Sequence, residues 1–104
     1  MNIKGSLPLL ILQVLSGGAS HGYQITQQIK ARSKGVLDFK EGTLYPALHS
    51  LEQQGLLEAY NAEENGRKRR YYQLTARGRA ELEKARKEWK QFVQAVNLAL
   101  GESK

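Results

Sequence analysis

The chain has 104 residues, with 16 lysines and arginines against 10 aspartates and glutamates, so its formal net charge is +6. That length holds one domain with a core plus an appendage, and the positive surplus favours an anionic partner such as nucleic acid. The absence of cysteine excludes disulfides, thiolate metal sites and cysteine nucleophiles, and His21 and His49 alone are too few for a histidine metal site. No cofactor or metal is expected.

The N-terminal run L-P-L-L-I-L-Q-V-L is interrupted by Gln13, lacks a small-residue cleavage site and is too short to span a bilayer. The expectation is a cytoplasmic protein without a membrane partner. Within that run Leu7, Leu10, Ile11, Val14 and Leu15 keep the three- and four-residue spacing of an amphipathic helix, and Leu9 and Leu12 widen the stripe. So broad an apolar surface asks for burial on two sides, against its own domain and against a second chain. S-G-G-A-S at 16–20 breaks this helix and offers Ser20 as the cap of the next. The spacing then predicts a short, half-apolar helix from about His21 to Ser33 that carries Tyr23, Ile25 and Ile29 among glutamines and basic residues. His21 and Gly22 fall in its first turn, where free N–H groups and the positive dipole end suit a phosphate. Gly35 marks the connection that follows.

The pivotal stretch is E-G-T-L-Y-P-A-L-H-S-L-E-Q-Q-G, residues 41–55. Leu44, Leu48 and Leu51 form one narrow apolar stripe, while Pro46, His49, Ser50 and Gln53 point the other way. Pro46 requires the helix to start no earlier than about Glu41 or Gly42, so Gly42 or Thr43 is expected as the cap. Gly55 closes it. The outward face is uncharged but rich in hydrogen-bonding groups, as a helix reading base edges in a major groove would be. Two helices on a short linker, the second bearing such a face, make a helix-turn-helix.

After Gly55 the pattern alternates. L-L-E-A-Y-N and R-R-Y-Y-Q-L-T flank Asn65-Gly66, which favours a type I′ hairpin turn. That turn sets Ala59 opposite Tyr72 and Leu57 opposite Leu74 on one face, and places Glu64 opposite Arg67 and Glu63 opposite Lys68, so charge and apolar pattern agree on one register. The run Arg67, Lys68, Arg69, Arg70 repels itself unless an anion is near. A basic ribbon directly after a helix-turn-helix is a wing reaching along a phosphate backbone.

From a cap at Thr75 the chain is helical to about Leu100, roughly 25 residues and about 37 Å. Leu82, Ala85, Trp89, Phe92, Val96 and Ala99 alternate spacings of three and four, the seam of a coiled coil whose partner is missing from the chain. A second copy is the simplest cover. The expected architecture is mainly α with a small β-hairpin wing: a winged helix-turn-helix over residues 1–75 and a C-terminal dimerisation helix over 76–104. An enzyme is excluded on inventory, since there is no cysteine, one aspartate and no histidine beside a nucleophile. The rival reading is a basic helical adaptor that binds another protein and has no sequence preference for DNA.

H-G-Y-Q-I at 21–25, G-T-L-Y-P-A-L-H-S-L-E at 42–52, E-Q-Q-G-L-L at 52–57 and G-R-K-R-R-Y-Y-Q-L-T at 66–75 resemble, in order, the motifs of the PadR family of bacterial transcriptional regulators. The resemblance covers nearly the whole chain. It implies a winged helix-turn-helix with a helical dimerisation region, here the small subfamily with a single C-terminal helix, and a repressor released by a small molecule. A homodimer of this kind would bind double-stranded operator DNA through two half-sites of an imperfect palindrome about one helical turn apart. The candidate DNA contacts are His21, Thr43, Tyr45, Pro46, Ala47, His49, Ser50, Gln53, Arg67, Lys68, Arg69 and Arg70. In the multidrug-responsive members of that subfamily a tryptophan on the last helix stacks on flat apolar effectors in a pore at the dimer interface. Trp89 matches it, with Phe92 and Val93 beside it, and the interface itself would use Leu82, Ala85, Trp89, Phe92 and Val96. Ser50 stands where many members have a basic residue and Gln73 where arginine is frequent, which bears on individual DNA contacts and not on the fold.

Overall fold

Ile11, Leu12, Leu15, Ile25, Leu44, Leu48 and Leu57 are the largest fully buried side chains, and the three helices and one strand that carry them converge on one core. In the computed structural model, which describes residues 3–102, the elements are α1 (Ile3–Leu15), β1 (Ser20–His21), α2 (Gly22–Arg32), α3 (Glu41–Gln53), β2 (Leu57–Glu64), β3 (Arg67–Leu74) and α4 (Ala76–Ala99). The result is four helices with a three-stranded antiparallel sheet of order β1-β3-β2. Each central leucine has lost almost all contact with water, so truncating Leu48 to alanine would cost about 2–5 kcal/mol.

α1 begins at Ile3, a turn before Leu7, and contains Pro8. A proline so near a helix start forfeits one backbone bond, and Pro8 is exposed, so the apolar face below it decides the conformation. Ser20 does not cap α2. It is extended, buried and paired with Tyr72, and its hydroxyl accepts from Gln28 Nε2 at 3.3 Å. The cap is His21. β1, with its pairs Ser20↔Tyr72 and His21↔Tyr71, is absent from the sequence reading because two residues have no period to detect.

α3 starts at Glu41 as Pro46 demands, but its cap is Lys40, without a side-chain bond, rather than Gly42 or Thr43. The Lys40 carbonyl accepts from Thr43 and Leu44 N–H, both at 3.0 Å. Phe39 and Leu44 flank this turn and are buried in the same core, the arrangement of a hydrophobic staple, which fixes the start earlier than side-chain capping alone would. Gly55, at φ +79, ends the turn after the helix.

The hairpin has the expected register, with Leu57↔Leu74, Ala59↔Tyr72, Glu63↔Lys68 and Glu64↔Arg67. Asn65 (φ 52) and Gly66 (φ 78) both lie in the left-handed region that a type I′ turn requires. Thr75 then caps α4, accepting from Gly78 N–H at 3.0 Å while its hydroxyl donates to the Gly55 carbonyl at 2.7 Å. Gly78 is buried against the Leu56 carbonyl, where any Cβ would collide with the backbone. These contacts tie the end of α3 to the start of α4. Only Gly78 and Leu82 of α4 are buried, and its remaining turns extend the molecule to 54 × 29 × 21 Å.

Candidate nucleic-acid interface

The amphipathic pattern of α3 fixes which side chains it presents. Leu44, Leu48 and Leu51 are buried, and Tyr45, Pro46, His49, Ser50 and Gln53 are exposed on the opposite side. Thr43 is half-buried. Ala47, one of the candidate DNA contacts, is half-buried, packs against the core and lines a groove with Pro8, Leu12 and Leu56. The outward face carries no formal charge from Tyr45 to Ser50 and is bordered by Glu41 before it and Glu52 after it.

The N-terminus of α2 lies beside this face. His21 and Gln24 form a reciprocal capping box: His21 Nδ1 accepts from Gln24 N–H at 3.3 Å, and His21 N–H donates to Gln24 Oε1 at 3.3 Å. The imidazole also meets the Tyr71 ring edge-on at 5.4 Å, and Tyr71 stacks on Tyr60 at 5.7 Å. Burial, with Arg69 and Arg67 adding to it and Glu64 opposing, pulls the His21 pKa below its ordinary value. Tyr45 lies against Gly22 so closely that an added Cβ would stand 2.6 Å from its hydroxyl. Burial, then the neighbouring Glu41, pushes the Tyr45 phenol up, leaving it a neutral donor. His21, Gly22 and Tyr45 together with Arg67, Lys68, Arg69 and Arg70 line one cleft of about 190 Å³.

Strand alternation splits the basic run between two faces. Tyr72 and Leu74 point into the core, so Lys68 and Arg70 continue that face beyond the core's edge, while Arg67 and Arg69 share the outer face with Tyr71. Tyr71 donates from its hydroxyl to Glu64 Oε2 at 3.1 Å. Arg70 is engaged within the protein: its Nη2 is 3.0 Å from Glu52 Oε2 on α3, and its guanidinium lies 5.8 Å from the centre of the Tyr72 ring. Arg67, Lys68 and Arg69 make no ion pair among the described residues. Glu52 and Gln24 are the supporting residues that sequence reasoning missed. The H-x-x-Q spacing at 21–24 is a capping-box pattern that signals Gln24. Nothing local signals Glu52, which is 18 residues from its partner.

On α4 the expected seam divides. Leu82 is buried in the chain's own core, so the part open to a partner begins at Ala85. Trp89, Phe92 and Val96 are 37, 40 and 39% exposed, unusually high for large apolar side chains in a row, and Trp89 and Phe92 touch with ring centres 6.0 Å apart. Val93 is half-buried. Trp89 also borders a groove of about 360 Å³ with Leu9, Leu10, Gln13, Arg86 and Lys90, across which Arg86 Nη1 donates to Gln13 Oε1 at 2.7 Å. No described helix is long and apolar enough to cross a membrane, and no described cluster of histidine and carboxylates could hold a metal.

The family model for the transcriptional regulator PadR-like family matches residues 11–84. A transcriptional regulator of Mycobacterium tuberculosis is 34% identical over 93 residues, which is 89% of this chain and 84% of that protein. A transcriptional regulator from Clostridium thermocellum superposes with a TM-score of 0.84 at 33% identity, covering 91% of this chain and 90% of that one. Bacillus subtilis PadR in complex with operator DNA matches with a TM-score of 0.68 at 28% identity, over 75% of this chain and 45% of that one.

Proposed function

The chain belongs to the PadR-like family of transcriptional regulators, and from that premise we propose that it is a homodimeric, ligand-responsive repressor of the cytoplasm that binds a palindromic operator. The observation that carries the DNA-binding part is the cleft in which the α2 N-terminus, Tyr45 of α3 and the four basic residues of the wing face one another. Positive charge and a helix N-terminus there suit backbone phosphates, while His49, Ser50 and Gln53 lie exposed on the same helix as Tyr45 for base edges. The PadR of Bacillus subtilis, similar over most of this chain, is a protein seen on operator DNA, which supports the same use of this fold.

The open row Ala85, Trp89, Phe92, Val96 supports a dimer, because a second copy laid along α4 would remove these side chains from water. A dyad between two chains presents two α3 helices to successive major grooves. For an effector, the groove beside Trp89 offers a flat aromatic wall, with Phe92 and Val93 adjoining it on α4. Stacking there adds about 0.5–1.5 kcal/mol beyond area burial. Release of DNA follows only if the effector prefers a dimer geometry that misplaces the two α3 helices. Selection of bound duplexes from a random pool should return paired inverted half-sites about one helical turn apart. A pool that shows no enrichment, as expected of a basic protein-interaction adaptor, would overturn the proposal.

A further inference from the structure

We propose that the cleft between the α2 N-terminus and the wing seats one phosphodiester of duplex DNA, with His21 donating to it from Nε2–H as a neutral group. The proposal rests on the DNA-binding reading above and names the chemistry of one of its contacts. Nδ1 is committed as the acceptor of the Gln24 N–H, so the neutral ring carries its proton on Nε2. Among the described residues Nε2 has no hydrogen-bond partner. No buried side-chain nitrogen or oxygen among the described residues lacks a partner, so Nε2 is an atom through which this residue, only 5% exposed, still meets open space. His21 lines the cleft.

The rest of the cleft matches an anion. Its lining holds Arg67, Lys68 and Arg69 with Arg70, which is paired with Glu52, and no carboxylate, and it opens at the first turn of α2, whose outermost N–H groups have no partner within the helix. Gly22 leaves the approach to those groups free of a side chain, and the Tyr45 hydroxyl forms the wall beside it. The groups that face His21 are Gln24 of α2, Tyr45 of α3, Glu64 of β2, and Arg67, Arg69 and Tyr71 of β3. The nearest acid, Glu64, accepts from the Tyr71 hydroxyl. Protonating Nδ1 would set a proton against the Gln24 N–H and open the capping box. The seat therefore uses a donor that adds no charge, and the cations around it supply the rest.

That separation of roles makes the seat testable. Affinity for a mixed-sequence duplex is measured by fluorescence anisotropy over a range of salt and pH for the unmodified protein, His21→Asn and His21→Gln. Asparagine retains a capping acceptor at the position of Nδ1 and withdraws the Nε2 donor. Its affinity should fall about tenfold, the loss of one hydrogen bond to a charged group, with an unchanged salt slope. Glutamine reaches toward the position of Nε2 without capping, so it should keep most of the affinity and lower the thermal midpoint. The ratio between the unmodified protein and His21→Asn should stay flat as pH falls from about 8 to about 6. A ratio that climbs with acidity, or a slope reduced by about 0.9 in His21→Asn, would mean a cationic histidine and overturn the seat. Nitrogen NMR of the unmodified protein gives a check that needs no variant: Nδ1 must be the bare ring nitrogen, and the Nε2–H signal must move on adding duplex. Equal binding by the unmodified protein and His21→Asn overturns the seat alone, whereas no binding by the unmodified protein overturns the DNA-binding reading with it.

Discussion

Removing the positive charge of the wing one residue at a time should separate Arg70 from its three neighbours. Each cation that neutralises a DNA phosphate releases condensed counterions, so its loss lowers the slope of log affinity against log salt by about 0.9. Arg67, Lys68 and Arg69 make no ion pair among the described residues, and each glutamine substitution there should lower the slope by about that amount. Arg70 already neutralises Glu52 at 3.0 Å and lies over the Tyr72 ring, so Arg70→Gln should leave the slope nearly unchanged. The triple variant at 67, 68 and 69 should then lose about 2.7 from the slope. Over a fourfold rise in salt, the unmodified protein would lose about 40-fold more affinity than the triple variant. The pair from Arg70 to Glu52 joins the wing to α3, so Glu52→Gln and Arg70→Gln should alter preference among duplex sequences alike, and combining them should add little. Anisotropy titrations across salt read all of this directly. A slope for Arg70→Gln that drops as far as that for Arg67→Gln would refute the assignment of Arg70 to the wing-helix contact.

Three further outcomes follow from local geometry. Thr75→Ala removes the cap of α4 and the bond to the Gly55 carbonyl together and should cost about 1–2 kcal/mol in denaturant unfolding, while Thr75→Ser should restore most of it. Unfolded His21 takes up a proton near 6.5 and the folded site only at lower pH, so the unfolded state binds more protons in that window. Stability should therefore be full above about pH 6.5 and decline as pH falls toward the folded value, a limb of the pH–stability curve that His21→Asn removes. Phe92→Glu places a charge in the exposed row of α4 and should turn a dimer into a monomer in sedimentation, with the helical signal retained; a monomeric mass for the unmodified protein would contradict the dimer itself.

The hairpin was legible to the residue because every determinant is local: an alternating pattern, an Asn-Gly turn and opposed charges all select one pairing. The core face of α3 was legible for the same reason, as was the Thr75 cap; on α2, Ile25 and Ile29 are buried but Tyr23 is exposed. What escaped was set by contacts distant in sequence. β1 exists because Ser20 and His21 meet Tyr72 and Tyr71, some fifty positions on. The start of α3 follows the burial of Phe39 with Leu44 rather than the capping preference of Thr43. The heptad pattern of α4 is silent on which chain covers each position, so Leu82 reads as an interface residue while it is buried in its own domain. In the candidate site, the basic run gave the wing, yet charge alone does not reveal that Arg70 is held by Glu52.

Sequence-specific DNA binding is read out by the affinity of the purified protein for the duplex upstream of its own coding region against a scrambled duplex of equal length at equal salt. The upstream duplex should be preferred by a factor of about 10³ or more, with affinity for both falling steeply as salt rises. Equal affinity for the two, or binding indifferent to salt, would contradict it.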